Sequence, residues 1–320
     1  MRYKVVMIGV GALGKRHLSS IMNTKLPLDV FCYDINSQAL NNFEWDNKYN
    51  NKTLAMVSSF DDFPKKIDFA LFAMTSTGRR EMFEQLISHC KVKNILFEKV
   101  LFQKIEDYGY VGRRLNELNI KAWVNCARRQ MDSYQELARE LAFARDIRIS
   151  LAGGEWGMAC NAIHMIDLIE FISGGLETKI DKMQLLPEIA NSKRKGFKEV
   201  YGSMEGHSGK CSHFSITCMK NSSSPITLFI STDVGQYIII ESKRKIISMT
   251  EKNNYELTEK VFDMPYQSQM TQHVLEDILL TGNSRLAPFD VSSRLHLEFI
   301  KPLIKFFNEN GLGCQSCPIT

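Results

Sequence analysis

The apolar run Val5–Ile8 leads directly into Gly9-Val-Gly-Ala-Leu-Gly14, and a segment of helical periodicity follows. A strand, a G-x-G-x-x-G turn and a helix in that order fit a parallel α/β sheet and little else. The first glycine permits the tight turn, the second leaves the backbone open to a phosphate, and the third lets the helix pack against the strand. The helix start at Ala12 and Leu13 offers free N–H groups and the positive end of its dipole. Asp34 closes the next apolar run, 20 residues after Gly14. A carboxylate there can accept both hydroxyls of an adenosine ribose and repels a 2′-phosphate. The pattern therefore predicts a nicotinamide dinucleotide on Gly9, Gly11, Ala12, Leu13, Gly14 and Asp34, with NAD(H) favoured over NADP(H). The competing reading is a glycine turn in an unrelated α/β protein, with Asp34 a turn residue.

Strands are expected at Val5–Ile8, Asp29–Tyr33, Leu54–Val57, Asp68–Met74, Asn94–Phe97 and Ala122–Asn125. Helices are expected between them at Leu13–Met22, Ser37–Phe43, Gly78–His89 and Ile105–Leu118. This alternation builds βαβ units and a doubly wound, Rossmann-like parallel sheet. After residue 126 the texture changes. Helices at Asp132–Phe143 and Asn161–Ser173 flank a strand at Ile147–Ala152, and strand-like stretches joined by polar links fill Lys179–Val261. That predicts an α+β domain with a large, mostly antiparallel open sheet, closed by helices near Ser268–Leu280 and Ser292–Asn308. The expected domains are 1–125 and 126–320, with helix 292–308 a candidate to pack back on the first.

Composition removes other classes. At roughly 150 residues per domain, 320 residues make about two. With 24% charged and 44% hydrophobic residues, the chain is neither disordered nor collagenous. The net charge of +4 lies in short clusters such as Arg128-Arg129, not in the basic stripe of a nucleic-acid binder. No apolar run reaches the ~18 residues of a membrane span, and the apolar stretch after Met1 is too short for a signal peptide. A cytoplasmic protein is expected, without nucleic-acid or membrane partners. The eight dispersed cysteines read as reduced thiols. Cys314-x-x-Cys317 stands alone, short of the four ligands of a structural zinc, so no metal is expected.

Four places together resemble the glucose-fructose oxidoreductase / inositol dehydrogenase (Gfo/Idh/MocA) family. They are Gly9–Gly14 followed by Arg16-His17, the turn Met74-Thr-Ser-Thr77, Phe97-Glu-Lys-Val100, and Cys160-Asn-Ala-Ile-His164-Met-Ile-Asp167. The resemblance implies a dehydrogenase or reductase of a sugar, cyclitol or keto-sugar, nucleotide-linked sugars included. It implies that Lys99, near the nicotinamide, polarises the substrate oxygen and that His164 is the general acid/base. It implies that Thr75, Ser76 and Glu98 line the nicotinamide ribose, with Arg79 where the family often has a histidine. It also implies a homodimer or homotetramer.

The chain departs from the family pattern twice. Val100 replaces a proline, which disfavours a cis bond after Lys99. Cys160 stands where the family has a carboxylate one turn before His164. Either Asn161 orients His164 or the substrate, or Lys99 and His164 work alone, or catalysis is lost. The last possibility makes a non-catalytic dinucleotide-binding regulator or scaffold the alternative function. A Cys160–His164 thiolate pair is a further, weaker reading. Arg128 and Arg129 could hold a phosphate or carboxylate of the substrate, or form a solvated or interdomain ion pair. Trp156 could stack on a sugar or simply pack. The predicted substrate-binding set is Arg128, Arg129, Trp156, Cys160, Asn161 and His164.

Overall fold

A computed structural model describes residues 2–41, 43–45, 49–175 and 177–320, with the backbone alone for Gln267 and Ser268. The chain begins β1 (Tyr3–Ile8), α1 (Ala12–Met22), β2 (Leu28–Tyr33), β3 (Lys52–Met56), β4 (Phe69–Phe72) and α2 (Arg79–His89). It continues β5 (Asn94–Phe97), α3 (Ile105–Glu117), β6 (Lys121–Val124), α4 (Asp132–Leu141), β7 (Ile147–Gly154) and α5 (Met158–Ile172). Then come β8 (Thr178–Leu185), β9 (Gly202–Ser208), β10 (Cys211–Met219), β11 (Thr227–Thr232), β12 (Gly235–Ile240), β13 (Lys245–Thr250) and β14 (Thr258–Val261). The last elements are α6 (Gln267–Thr281), β15 (Ala287–Pro288) and α7 (Phe289–Glu309).

Two compact units result. The first comprises residues up to Ala127, Pro265–Ser293 and Thr320; the second comprises Arg128–Met264 and Arg294–Ile319. The first unit holds a seven-stranded sheet in the order β15-β6-β5-β4-β1-β2-β3. All its pairings are parallel except that of the short β15 with β6. β1, β4 and β5 lie inside this sheet and read as unbroken apolar runs, because strands covered on both faces have no polar side. Val5, Met7, Val30, Phe69 and Leu71 share one core cluster with Leu18 and Ile21 of α1 and Val274, Leu275 and Ile278 of α6. Burying such a side chain contributes about 1.5–3 kcal/mol. The strand order reverses between β1 and β4, and such sheets bind ligands at the carboxyl ends of the strands at that point.

The second unit's sheet has eight strands in the order β8-β9-β10-β7-β11-β12-β13-β14. Only the β10–β7 pairing is parallel. β7 alternates buried and more exposed residues, with Ile147, Ile149 and Leu151 inward, the period-two signature of a sheet with one covered face. α5 is apolar around most of its circumference and buried along most of its length.

Three expectations are corrected. The helix expected at Ser37–Phe43 is a series of turns over the described residues. There the N–H of Gln38 goes to the Asn36 side chain, and bonds such as Ala39–Asn36 and Asn41–Gln38 span three residues. Local Asp and Asn acceptors compete with the helical ladder; Asn42 lies outside the described residues. Second, α6 belongs to the first unit and not to the domain 126–320. Ser20 Oγ accepts the Gln272 N–H at 2.8 Å, and the α6 apolar face completes the core under β1 and β2. Third, the terminal helix is divided: Phe289–Ser293 belongs to the first unit, where Phe289 packs against Phe97 and Phe102, and from Arg294 onward α7 belongs to the second.

Candidate active site

The carboxyl ends of β1, β2, β4 and β5 bring the sequence-predicted cofactor residues to one edge of the parallel sheet. Strand-like bonds run past the strand ends: Gly9 N–H to Tyr33, Ala73 N–H to Ile8 and Glu98 N–H to Phe72, at 2.9–3.0 Å. Gly9 adopts φ +93°, and a Cβ there would lie 2.7 Å from the backbone nitrogen of Met74. A Cβ on Gly14 would lie 2.3 Å from the Gly9 carbonyl oxygen. These two glycines are needed to fold the turn. Gly11 is different: it caps α1 in extended backbone, and a Cβ there would meet nothing within 4 Å. The space above α1 at Gly11 is open, which fits a phosphate resting on the helix N-terminus. Asp34 Oδ2 accepts the Val10 N–H at 2.6 Å and Oδ1 accepts the Asn36 N–H at 2.9 Å. The carboxylate is thereby fixed beside the turn, partly exposed, with lone pairs left for ribose hydroxyls.

Beneath this edge lies a buried polar network that the spacing of motifs did not reveal. Glu98 Oε1 accepts a hydrogen bond from Asn125 Nδ2 and is paired with His17 Nε2 at 2.9 Å. His17 Nδ1 in turn lies 2.9 Å from Thr271 Oγ1 on α6. Burial pushes the Glu98 carboxyl up, but the bonds from His17 and Asn125 outweigh it and hold it below its ordinary 4.5. Glu98 braces the loop from within, so the expectation that it lines a ribose is corrected.

Arg79 is corrected in the same sense. It is 1% exposed, and its guanidinium donates to the carbonyls of Glu98, Val100 and Leu101 and, at 2.5 Å, to that of Met74. One buried cation thus ties the turn after β4 to the turn after β5. The Lys99–Val100 peptide bond is cis, against the expectation from Val100; Arg79 grips carbonyls on both sides of it. Lys99 itself is half-buried, with Nζ 3.5 Å from the main-chain oxygen of Thr320. Thr75 is exposed, while Ser76 is buried and donates its N–H to Thr320 Oγ1 at 3.0 Å.

In the second unit, α5 carries Asn161, His164, Asp167 and Glu170 at a spacing of three, a polar stripe on an otherwise apolar helix. His164 is half-buried. Asn161 donates to the Trp156 carbonyl at 2.9 Å, and the half-buried Trp156 donates its indole N–H to Thr217 at 3.0 Å. Cys160 is buried, its sulfur 3.7 Å from Ser192 Oγ. A carboxylate does stand at the start of α5, though far away in sequence: Glu199 accepts the Ala159 N–H at 2.8 Å. No local signal marks it, because residue 199 reaches the helix only through the fold.

Arg128 and Arg129 form ion pairs shielded from solvent and within the second unit, so neither is the solvated or interdomain pair that the sequence left open. Arg128 makes a two-pronged pair with Glu241 at 2.7 Å. Arg129 pairs with Asp167 at 2.7 Å and with Glu170. Charges matched in this way are not offered to an acidic substrate. Burial would push the Glu241 carboxyl up, but Arg128 and Tyr134 hold it below its ordinary 4.5. A carboxylate whose folded pKa is depressed stabilises the fold above its unfolded pKa, and that share is lost as pH falls through the folded value. In urea titrations, wild-type stability should therefore drop below about pH 5, and Glu241→Gln, less stable at neutral pH, should show a shallower drop. Parallel acid limbs would refute the assignment.

Among the described residues, no group of three or more His, Cys, Asp or Glu is placed to hold a metal ion. Among them too, no helix is long and apolar enough to cross a membrane. No model of a known protein family matches the chain, and no curated protein matches it in sequence. Solved structures match over nearly its whole length. An oxidoreductase from Agrobacterium radiobacter, in complex with NAD+, L-tartaric acid and magnesium, superposes with a TM-score of 0.71 at 13% identity, covering 94% of this chain and 95% of that one. A UDP-N-acetylglucosamine 3-dehydrogenase from Acidithiobacillus ferrooxidans gives 0.66 at 11% identity, covering 96% and 97%.

The chain shares the fold of these solved oxidoreductases. A transcriptional regulator, Gal80p from Kluyveromyces lactis, has this fold as well, with a TM-score of 0.70 at 15% identity over 97% of this chain and 90% of that one. The fold thus serves proteins described as enzymes and one described as a regulator, and the side chains of this chain must decide between the two.

Proposed function

We propose that the chain is an NAD(H)-dependent oxidoreductase acting on the carbinol or matching ketone of a sugar, cyclitol or keto-sugar, nucleotide-linked sugars included. The observation that carries the reading is the open space at Gly11 over the N-terminus of α1, at the point where the strand order reverses, with Asp34 beside it. Bound there, the nicotinamide supplies or accepts the hydride. The chain's own residues do the rest. Gly9 and Gly14 shape the turn; the N–H groups of Ala12 and Leu13 hold phosphate; Asp34 accepts the ribose hydroxyls. Thr75 and Ser76 flank the nicotinamide side. Lys99 polarises the substrate oxygen with its ammonium, and His164 takes or returns the hydroxyl proton, since an imidazole does both near neutral pH. Asn161 and Trp156 belong on the substrate side of α5. The resemblance that supports this reading also supports a homodimer or homotetramer.

The reading is tested by titrating purified protein with NADH and screening sugars and keto-sugars for a substrate-dependent change in NADH absorbance. Saturable binding with turnover supports it. A chain that binds neither NADH nor NADPH refutes it. The Asp34 assignment has its own test: Asp34→Ser should raise the NADPH-to-NADH preference by about tenfold or more, as a repelling carboxylate is removed. An unchanged preference would move specificity elsewhere.

One observation favours a second reading. Cys160, not a carboxylate, precedes His164 by one turn, and a regulator is among the proteins of this fold. A chain that binds NADH tightly yet turns over no substrate in a broad screen would be a dinucleotide-responsive binding protein.

A further inference from the structure

A cleft opens at the opposite edge of the parallel sheet, beside the amino ends of β4 and β5. Its volume is about 590 Å³, within the roughly 300–1,000 Å³ of small-molecule sites. All its walls belong to the first unit. The residues just before β4 and β5, Lys66–Ile67 and Lys91–Val92, pair as a short parallel ladder that sets Lys66 opposite Lys91. The Lys91 N–H donates to the Lys65 carbonyl at 2.9 Å, which fixes that register. Lys65, Lys66 and Lys91 are exposed and line the cleft. Like charges directly opposite each other cost stability, and among the described residues no carboxylate is paired with any of the three. Asp61 is turned to His89 instead, 3.5 Å from its Nε2. The rest of the lining is largely apolar, with buried Val92 and Ile120 and the exposed Leu118 at the end of α3.

We propose that this cleft binds a small organic phosphate monoester, with its phosphate on the three lysines and its apolar body on Val92, Leu118 and Ile120. A phosphate carries roughly −1.5 to −2 charges at neutral pH and three acceptor oxygens, one for each ammonium, and lysine binds it as a point charge. A dianion between Lys66 and Lys91 replaces their mutual repulsion by attraction to a shared partner. Covering the apolar lining adds affinity that a bare phosphate lacks. The cleft lies at the amino ends of the strands and the turn Gly9–Gly14 at their carboxyl ends, so this is not the phosphate position on α1. The inference therefore stands apart from the dinucleotide reading.

Calorimetric titrations of the full chain with 1-naphthyl phosphate, 1-naphthol and inorganic phosphate test the proposal. The ester should bind saturably, at least about tenfold tighter than either fragment. The double variant Lys66→Gln/Lys91→Gln should bind it about tenfold more weakly, as the loss of two exposed charge contacts implies. Leu118→Asp should weaken it by a similar factor. These substitutions change exposed side chains, and the double variant, relieved of its repulsion, should melt no lower than wild type. Gly11→Val should bind the ester as wild type does. The ester should also slow amide hydrogen exchange in residues 65–67 and 91–93. Absence of saturable binding, inorganic phosphate bound as tightly as the ester, or wild-type affinity in the double variant overturns the site. Loss of ester binding in Gly11→Val overturns it too, because the probe then sits on the glycine turn.

Discussion

Lys99→Ala is expected to lower kcat by about a hundred- to ten-thousand-fold, the usual range for a group that handles a proton or its charge in the transition state. Its Kd for NADH should stay within about threefold of wild type, because the proposed function assigns the phosphates and the adenosine ribose to other residues. His164→Ala should behave in the same way, for the same reason. If the two side chains act on one oxygen and its proton, the double variant loses little more than the worse single one, since residues that act as a unit are not additive. Steady-state rates and NADH titrations on the three variants check this. Wild-type turnover in either single variant removes that residue from the mechanism. A loss of NADH affinity equal to the loss in kcat/KM would make the residue a binding group.

Arg79→Met is expected to have the largest effect on folding. It leaves the carbonyls of Met74, Glu98, Val100 and Leu101 without the donor that now joins them. An orphaned buried acceptor costs about 1–3 kcal/mol. The four are neighbours and will partly relax, so about 4–5 kcal/mol in total is expected. That is a large part of the roughly 5–15 kcal/mol that holds a domain together. For a chain of this size, a melting temperature lower by roughly 10 °C follows. Arg79→Lys, with three donors in place of five, should fall between. Thermal melts of the three proteins decide the matter. If Arg79→Met melts like wild type and only its NADH affinity drops, Arg79 is a cofactor residue and its structural assignment is wrong.

The parts of the fold legible in the sequence were those with local causes. The parallel half follows from apolar runs of four to six residues separated by helical periods. The turn follows from two glycines for which no other residue fits, and the antiparallel half from period-two strands with polar links. What stayed hidden depends on partners distant in the chain. Nothing near Arg79 says that its guanidinium will meet carbonyls some twenty residues on, and nothing near Arg129 names Asp167 and Glu170. A basic pair reads the same whether it faces solvent, substrate or a buried carboxylate. The order of elements could not show that α6 completes the first unit, since its apolar stripe fits any sheet. The turns at Ser37–Phe43 went the other way: helical spacing was present, but Asp34 and Asn36 supply acceptors that the spacing does not register. In the site, His17 and Asn125 were invisible as supports because a buried network has no sequence period. Glu199 and Thr320 reach the site regions only through the fold.

The central claim is that the turn Gly9–Gly14 holds the phosphates of a nicotinamide dinucleotide, and calorimetric titration of NADH into wild type and Gly11→Val tests it most directly. The φ of Gly11 is −63°, open to any residue, and an added Cβ meets nothing within 4 Å. The variant should fold, melting within about 4 °C of wild type as the modest cost of a poorer helix cap implies. Its side chain would stand where the phosphates must approach. The prediction is saturable binding by wild type and an affinity lower by about a hundredfold or more in Gly11→Val. Equal binding by the two proteins, or none by wild type, would contradict it.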